Sequence, residues 1–181
     1  MAKVEMNSVM SDFLYDTPFT RGNRLSEAVR RVNGKTALIF LRYYGCPMCQ
    51  LDLFEYAVKY DLVRQTGGQI LVVLQSHPNV LKQEITDNTF PYEIVCDPDM
   101  ELYRMLSIDP AASMLKMMSL KALKKVIRSK KLGYKHGLYE GNEQQLPAAF
   151  ILDSTLNVHY AHYGKDAGDV PDTEELVKLL K

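Results

Sequence analysis

Residues 36–50, TALIFLRYYGCPMCQ, run from a β-branched and aromatic stretch directly into two cysteines two residues apart. Thr36 to Tyr44 has the composition of a buried strand. After the second cysteine, Leu51, Phe54, Ala57 and Val58 fall on one helical face until Gly67-Gly68 stops the pattern. The stretch therefore reads as a strand end feeding a helix start, with Cys46 at the junction. Unpaired N–H groups and the helix dipole favour an anion there, here a thiolate. Cys46 is the candidate nucleophile, exposed at the helix start, and Cys49, about one turn on and more buried, is the candidate resolving thiol. Pro47 suits the first helical position, where a missing N–H loses nothing. Met48 would add to the surface that a partner touches.

Working outward, LSEAVRRV (25–32) has helical spacing and ends at Asn33-Gly34. Downstream, QILVVLQ (69–75) is a strand-length apolar run, His77-Pro78 opens a short helix, and YEIVC (92–96) forms a further strand. Asp97-Pro98-Asp99 reads as a cap with Pro at the first position of a helix through MELYRML (100–106). Alternating helices and wholly apolar strands favour an α/β sheet with parallel pairs. The end differs: AAFILD (148–153) and NVHYAHY (157–163) suit an antiparallel hairpin, and LVKLLK closes the chain as a helix. A βαβ unit followed by ββα is the minimum of a thioredoxin-like fold. The expectation is one α/β domain over 1–181, with a mixed central sheet flanked by helices and a helical insertion at about 110–146.

The 22 Lys and Arg balance 22 Asp and Glu, so neither nucleic acid nor membrane is an expected partner, and polyanion binding would need a local patch. One candidate lies in the insertion. From Lys116 to Lys135 there are eight basic residues and no acid. Leu120, Leu123 and Ile127 share a face, which predicts a surface helix docked by that apolar stripe with its lysines in solvent. The competing reading is a basic patch for an acidic partner or an anionic surface. The first residues lack the apolar core of a secretory signal, and no run approaches the ~18 apolar residues of a membrane helix. A cytoplasmic location is the expectation.

Three cysteines are too few, and too odd a number, for a disulfide scaffold. A zinc site needs two ligands beyond Cys46 and Cys49. His159 and His162, three apart on a strand, point to opposite faces, so no metal is expected. Cys96, at a strand end, reads as a small core residue, and His77 as a turn or cap residue. Gly34-Lys35-Thr36 fails as a phosphate loop because Val29 stands where a glycine is required. Pro147, at the first residue of the AAFILD strand, is tolerated there. A cis bond at Pro147 would free the Leu146 backbone to bond an extended substrate. With Tyr43 as a wall of the thiol pocket, the candidate substrate-binding residues are Tyr43, Pro47, Met48, Leu146 and Pro147.

ALIFLRYYGCPMCQLDL, CDPDMELYRML, and QQLPAAFILD followed by HYAHYGKDAGDVPDTEELVKLL together resemble the AhpC/TSA peroxiredoxin-like group, in the branch with C-x-x-C in place of the peroxidase motif. The resemblance implies a thioredoxin-like fold with peroxiredoxin-like N-terminal additions, thiol-dependent redox activity, and Pro147 at the position of the fold's cis-proline. It implies no cofactor, and a thioredoxin- or glutathione-type reductant to restore the dithiol. The oligomeric state stays open, a homodimer included. Ordinary peroxiredoxins carry P-x-x-x-T/S-x-x-C. Here Ile39 and Tyr43 hold the Pro and Thr positions counted from Cys46, and Arg42 and Cys46 hold them counted from Cys49. Pro147-Ala148-Ala149 also replaces the arginine that such enzymes place before the last central strand. Those groups stabilise charge developing on peroxide oxygen. The expectation is thus a thiol–disulfide oxidoreductase in which Cys46 attacks and Cys49 resolves. Peroxide or endoperoxide reduction by the same pair is the alternative, and a non-enzymatic binding module with structural or metal-bound cysteines is the third reading.

Overall fold

The computed structural model describes residues 3–181. A two-stranded antiparallel sheet, β1 (Leu14–Tyr15) and β2 (Asn23–Arg24), leads into α1 (Leu25–Ala28), which tightens into a 3-10 turn at Val29–Arg31. Then follow β3 (Thr36–Phe40), α2 (Pro47–Val58), α3 (Tyr60–Arg64), β4 (Gln69–Leu74), α4 (Pro78–Glu84), β5 (Glu93–Cys96) and α5 (Glu101–Met105). The insertion holds α6 (Met114–Met117) and α7 (Leu120–Lys131), before β6 (Ala148–Leu152), β7 (Val158–Tyr163) and α8 (Thr173–Leu180).

The sheet order is β5-β4-β3-β6-β7. β3 runs parallel to β4, with Ile39 opposite Val72, and antiparallel to β6, with Phe40 opposite Ala148. This is the expected mixed, thioredoxin-like sheet. Every residue of β3 is buried, because both faces are covered. Ala37 and Ile39 point into a core shared with Cys49, Leu53 and Tyr56 of α2. Leu38 and Phe40 point the other way, against Phe150 and Tyr103.

Three local expectations shift. β3 ends at Phe40 rather than Tyr44, although Leu41 N–H still bonds the Val73 carbonyl and the Arg42 carbonyl accepts from Gln75 N–H. From there the chain lifts out of the sheet and the Arg42 side chain is released toward the cysteines. The helix after the cysteines breaks at Lys59 into α2 and α3. Asp97 caps α5 from a distance. Met100, left-handed at φ 56°, is the residue at the cap position, while the Asp97 carboxylate accepts N–H bonds from Glu101 at 2.9 Å and Leu102 at 2.8 Å.

The largest correction concerns α7. Both insertion helices start on serine caps, Ser113 and Ser119. α7 packs on α2, but not through its leucines. Ala122 and Ser129 are buried, whereas Leu120, Leu123 and Ile127 face solvent. The reason lies in α2: Asp52 is buried and needs a cation, and Lys125 Nζ meets its Oδ1 at 2.6 Å while Arg128 reaches Glu55 at 2.6 Å. Small residues on the inner face let the two helices come close enough for that pair.

Burial pushes the Asp52 carboxyl up, and Lys125 opposes the shift. Lys125→Met keeps the packed stem but leaves the carboxylate unpaired, a loss of about 3 kcal/mol at neutral pH. A carboxyl whose folded-state pKa lies above its unfolded value contributes stability at low pH that is lost as pH rises through the folded value. The deficit against wild type, read from urea unfolding, is therefore expected to be largest at pH 7 and to shrink toward pH 4.

Candidate active site

Cys46 is the N-cap residue of α2, in extended backbone conformation, with Pro47 at the first helical position. Its sulfur accepts the Cys49 N–H at 3.4 Å, and both cysteines are free thiols. The placement follows the sequence reading, but the surroundings do not. Arg42 Nη2 lies 3.0 Å from Cys46 Sγ, and Arg42 Nη1 donates to the Glu143 carbonyl at 2.8 Å. The sequence reading weighed Arg42 only as a mismatch to the peroxiredoxin motif. The signal it passed over was an arginine inside an apolar run, where burial without a partner is expensive.

Cys46 is only 1% exposed, against the expectation of an exposed nucleophile. The cover is residues 136–143 of the insertion. Gly137 N–H donates to the Gly45 carbonyl at 2.8 Å. A Cβ on Gly45 would collide with the Leu138 carbonyl, so only glycine lets the two backbones meet. Glu140 ties the segment down by accepting from Ser76 Oγ at 2.8 Å and from His77 N–H at 3.2 Å. Asn142 N–H donates to Gln75 Oε1 at 2.6 Å. His77 also caps α4, its Nδ1 accepting from Asn79 N–H at 3.1 Å, the turn role expected of it.

The thiols titrate as a pair. For Cys49, burial works against ionisation, but the hydrogen bond from Cys46 and the Arg42 guanidinium overcome it and draw the thiol down to about 6. The same hydrogen bond, with burial, pushes the second ionisation, at Cys46, well above the ordinary range. The site thus holds one thiolate shared between two sulfurs. Arg42 stays protonated: burial, which would weaken it, is outweighed by the facing sulfurs. Burial and a hydrogen bond to Glu143 push the Tyr43 phenol up, so it donates to Glu143 Oε1, with His136 Nε2 3.1 Å from the phenol oxygen.

Cys46 opens onto a cavity of about 510 Å³. Arg42, Pro47 and Met48 share its floor with Cys46, and Met114, Met117, Met118 and Val126 of the insertion wall it. Tyr134 and Tyr139 close the rim. Cys49 does not line it, so Cys46 is the sulfur that a ligand meets. Pro47 and Met48 line the cavity beside Cys46, but Met48 is buried rather than part of an outer surface that a partner would touch. Tyr43 is fully buried and reaches the cavity only through Glu143 and His136. Leu146 and Pro147 do not line it. Among the described residues no peptide bond is cis, so the conditional reading of Pro147 is corrected. β6 starts at once after Pro147, whose carbonyl accepts the Gly164 N–H at 2.8 Å, and the Leu146 carbonyl accepts from Gln145 Nε2 at 3.2 Å. That backbone is already engaged. Cys96 is buried at the end of β5, and burial pushes its thiol up to about 12. His159 and His162 pair separately, with Asp153 and Asp169.

A thiol pair at the head of the helix that follows the central strand of this mixed sheet defines a thioredoxin-like dithiol protein. Residues 56–166, more than half of the chain, match the family described as AhpC/TSA antioxidant enzyme. The chain belongs to that family. The match begins after Cys49 and so leaves the role of the pair to its geometry. The thioredoxin-like protein AAED1, chloroplastic, of Arabidopsis thaliana is 24% identical over 167 residues, covering 87% of this chain, which spans 66% of that protein's length. Among solved structures, peroxidoxin BcpB of Mycobacterium tuberculosis superposes with a TM-score of 0.66 at 11% identity, covering 97% of this chain and 93% of its own. A yeast mitochondrial 1-Cys peroxiredoxin, described with thiol resolution via glutathione/thioredoxin systems, gives a TM-score of 0.68 at 10% identity, covering 97% and 74%. These likenesses bear on the fold. The chloroplastic relative overturns the cytoplasmic expectation. Lack of a secretory apolar core tests for one export route and says nothing about organelles. Among the described residues no helix is long and apolar enough to cross a membrane.

Proposed function

We propose that the protein is a dithiol peroxidase that reduces a peroxide with an apolar body, Cys46 attacking and Cys49 resolving. The observation that carries this reading is the Arg42 guanidinium 3.0 Å from Cys46 Sγ at a half-open, methionine-walled cavity. It supplies from the segment that follows β3 the positive donor that the resemblance places before the last central strand. A half-buried guanidinium aimed at the sulfur also faces the oxygen that sulfur attacks, where charge develops as the O–O bond breaks.

With its proton passed to the Cys49 thiolate, Cys46 attacks the terminal oxygen of the peroxide. An S–O bond forms, the O–O bond breaks, and the alkoxide takes a proton to leave as an alcohol, with Cys46 as its sulfenic acid. Cys49 then attacks the sulfenic sulfur, expelling water and forming the Cys46–Cys49 disulfide. A thioredoxin- or glutathione-type thiol returns two electrons to the pair. Tyr43 donates to the Glu143 carboxylate and so steadies the residue whose backbone carbonyl holds Arg42.

Exchange with a protein disulfide is the second reading, favoured by the C-x-x-C at the head of α2, and it requires residues 136–143 to lift. Reduced protein mixed in turn with cumene hydroperoxide, hydrogen peroxide and insulin separates the two by the rate of thiol loss. The organic peroxide is expected to react fastest. Insulin reduction outpacing both peroxides would transfer the assignment to disulfide exchange.

A further inference from the structure

We infer that the outer face of α6 and α7 docks this protein on an anionic lipid surface. Leu115 and Leu120 are at least 80% exposed, and Leu123 and Ile127 are about half exposed on the same side of α7. Lys124 and Lys131 flank that stripe on the helix. The eight basic residues between 116 and 135 have no acid among them. Lys125 and Arg128 turn inward to Asp52 and Glu55. Lys116, Lys124, Lys130, Lys131 and Lys135 form no ion pair among the described residues. In a chain whose total charge is zero, this is a concentrated positive field beside exposed aliphatic side chains.

That combination selects the occupant. The exposed side of these helices offers apolar side chains and ammonium charges, with no acid between 116 and 135 with which to read a basic partner. Acyl chains accept the leucines at the headgroup boundary and lipid phosphates accept the lysines, as in helices that lie in a membrane interface. The sequence shows the basic patch as a competing reading, but an apolar stripe expected to face inward leaves the lysines without their aliphatic neighbours. Met114, Met118 and Lys130 belong both to this surface and to the wall of the Cys46 cavity. Docking therefore sets the cavity against the bilayer. The docking does not rest on the peroxidase reading, and its test involves no turnover.

The full chain is floated with vesicles of phosphatidylcholine alone and of phosphatidylcholine mixed with phosphatidylglycerol, at low and high salt. Binding is expected only to the mixed vesicles, and weaker at high salt. Lys124→Glu with Lys131→Glu is expected to weaken it about tenfold or more. Leu123→Asp with Ile127→Asp is expected to abolish it while leaving thiol reactivity in solution unchanged, since these residues lie outside the cavity. Equal binding to both vesicle types, or to neither, would overturn the inference. So would self-association lost in the Leu123→Asp, Ile127→Asp protein without vesicle binding, which would assign the face to a second copy. Polyglutamate binding as tight as vesicle binding would assign it to an acidic polypeptide and overturn it equally.

Discussion

A Cys46→Ser protein is expected to lose peroxide-dependent thiol turnover by a factor on the order of 10⁴ or more, as deletion of a nucleophile does. Serine at that N-cap still accepts the Cys49 N–H, so the fold should be kept and the loss is chemical. Cys49→Ser has a different signature. Cys46 still attacks, but nothing within the site expels water from the sulfenic acid. One equivalent of peroxide is consumed and cycling stops. Dimedone labelling read by mass spectrometry should find the adduct on Cys46 in that variant, and a Cys46–Cys49 disulfide in the wild type after peroxide. If the adduct forms on Cys49 in the Cys46→Ser protein, with full peroxide consumption, the roles of the two sulfurs are reversed.

Arg42→Met should be nearly as damaging. It retains the length of the side chain but removes the charge facing the sulfur pair, and kcat/KM toward an organic peroxide is expected to fall about 10²- to 10³-fold. A second readout separates chemistry from packing. The reactive form is the thiolate, so alkylation by iodoacetamide should rise with pH, with an inflection in the wild type below that of an ordinary thiol, because Arg42 favours the first ionisation of the pair. Without the guanidinium that inflection is expected to move up toward the ~8.5 of an ordinary thiol. Arg42→Lys should restore part of the charge effect but not the bond to the Glu143 carbonyl, because an ammonium lacks the two-pronged geometry. An unchanged inflection together with an unchanged kcat/KM would remove Arg42 from the mechanism.

The sheet was legible because its strands are short apolar runs between turn residues, and the order of helices and strands left one familiar arrangement for them. The junction at Cys46 was legible for a local reason, since Cys46-Pro47 carries its own cap signal. What the sequence hid is non-local. Arg42 is fixed by a carbonyl 101 residues away, and the cover over Cys46 comes from a stretch without strand or helix periodicity. The orientation of α7 was misread because an apolar stripe does not reveal which side of a helix is turned inward. Asp52, buried on a neighbouring helix, decided that by demanding Lys125. Pro147 resembles a fold position, yet the hydrogen bond from Gly164 already occupies its own carbonyl.

Cys96 sets a bound on what the molecule does as an electron carrier. Its thiol is buried and its pKa is pushed up to about 12, so at neutral pH it neither ionises nor competes for an oxidised Cys46. In the proposed cycle each chain would then hold only the two reducing equivalents of Cys46 and Cys49. Every turnover would be a discrete exchange of one electron pair with an outside donor, and the supply of that donor, rather than any reserve within the protein, would set how long a burst of oxidant is answered.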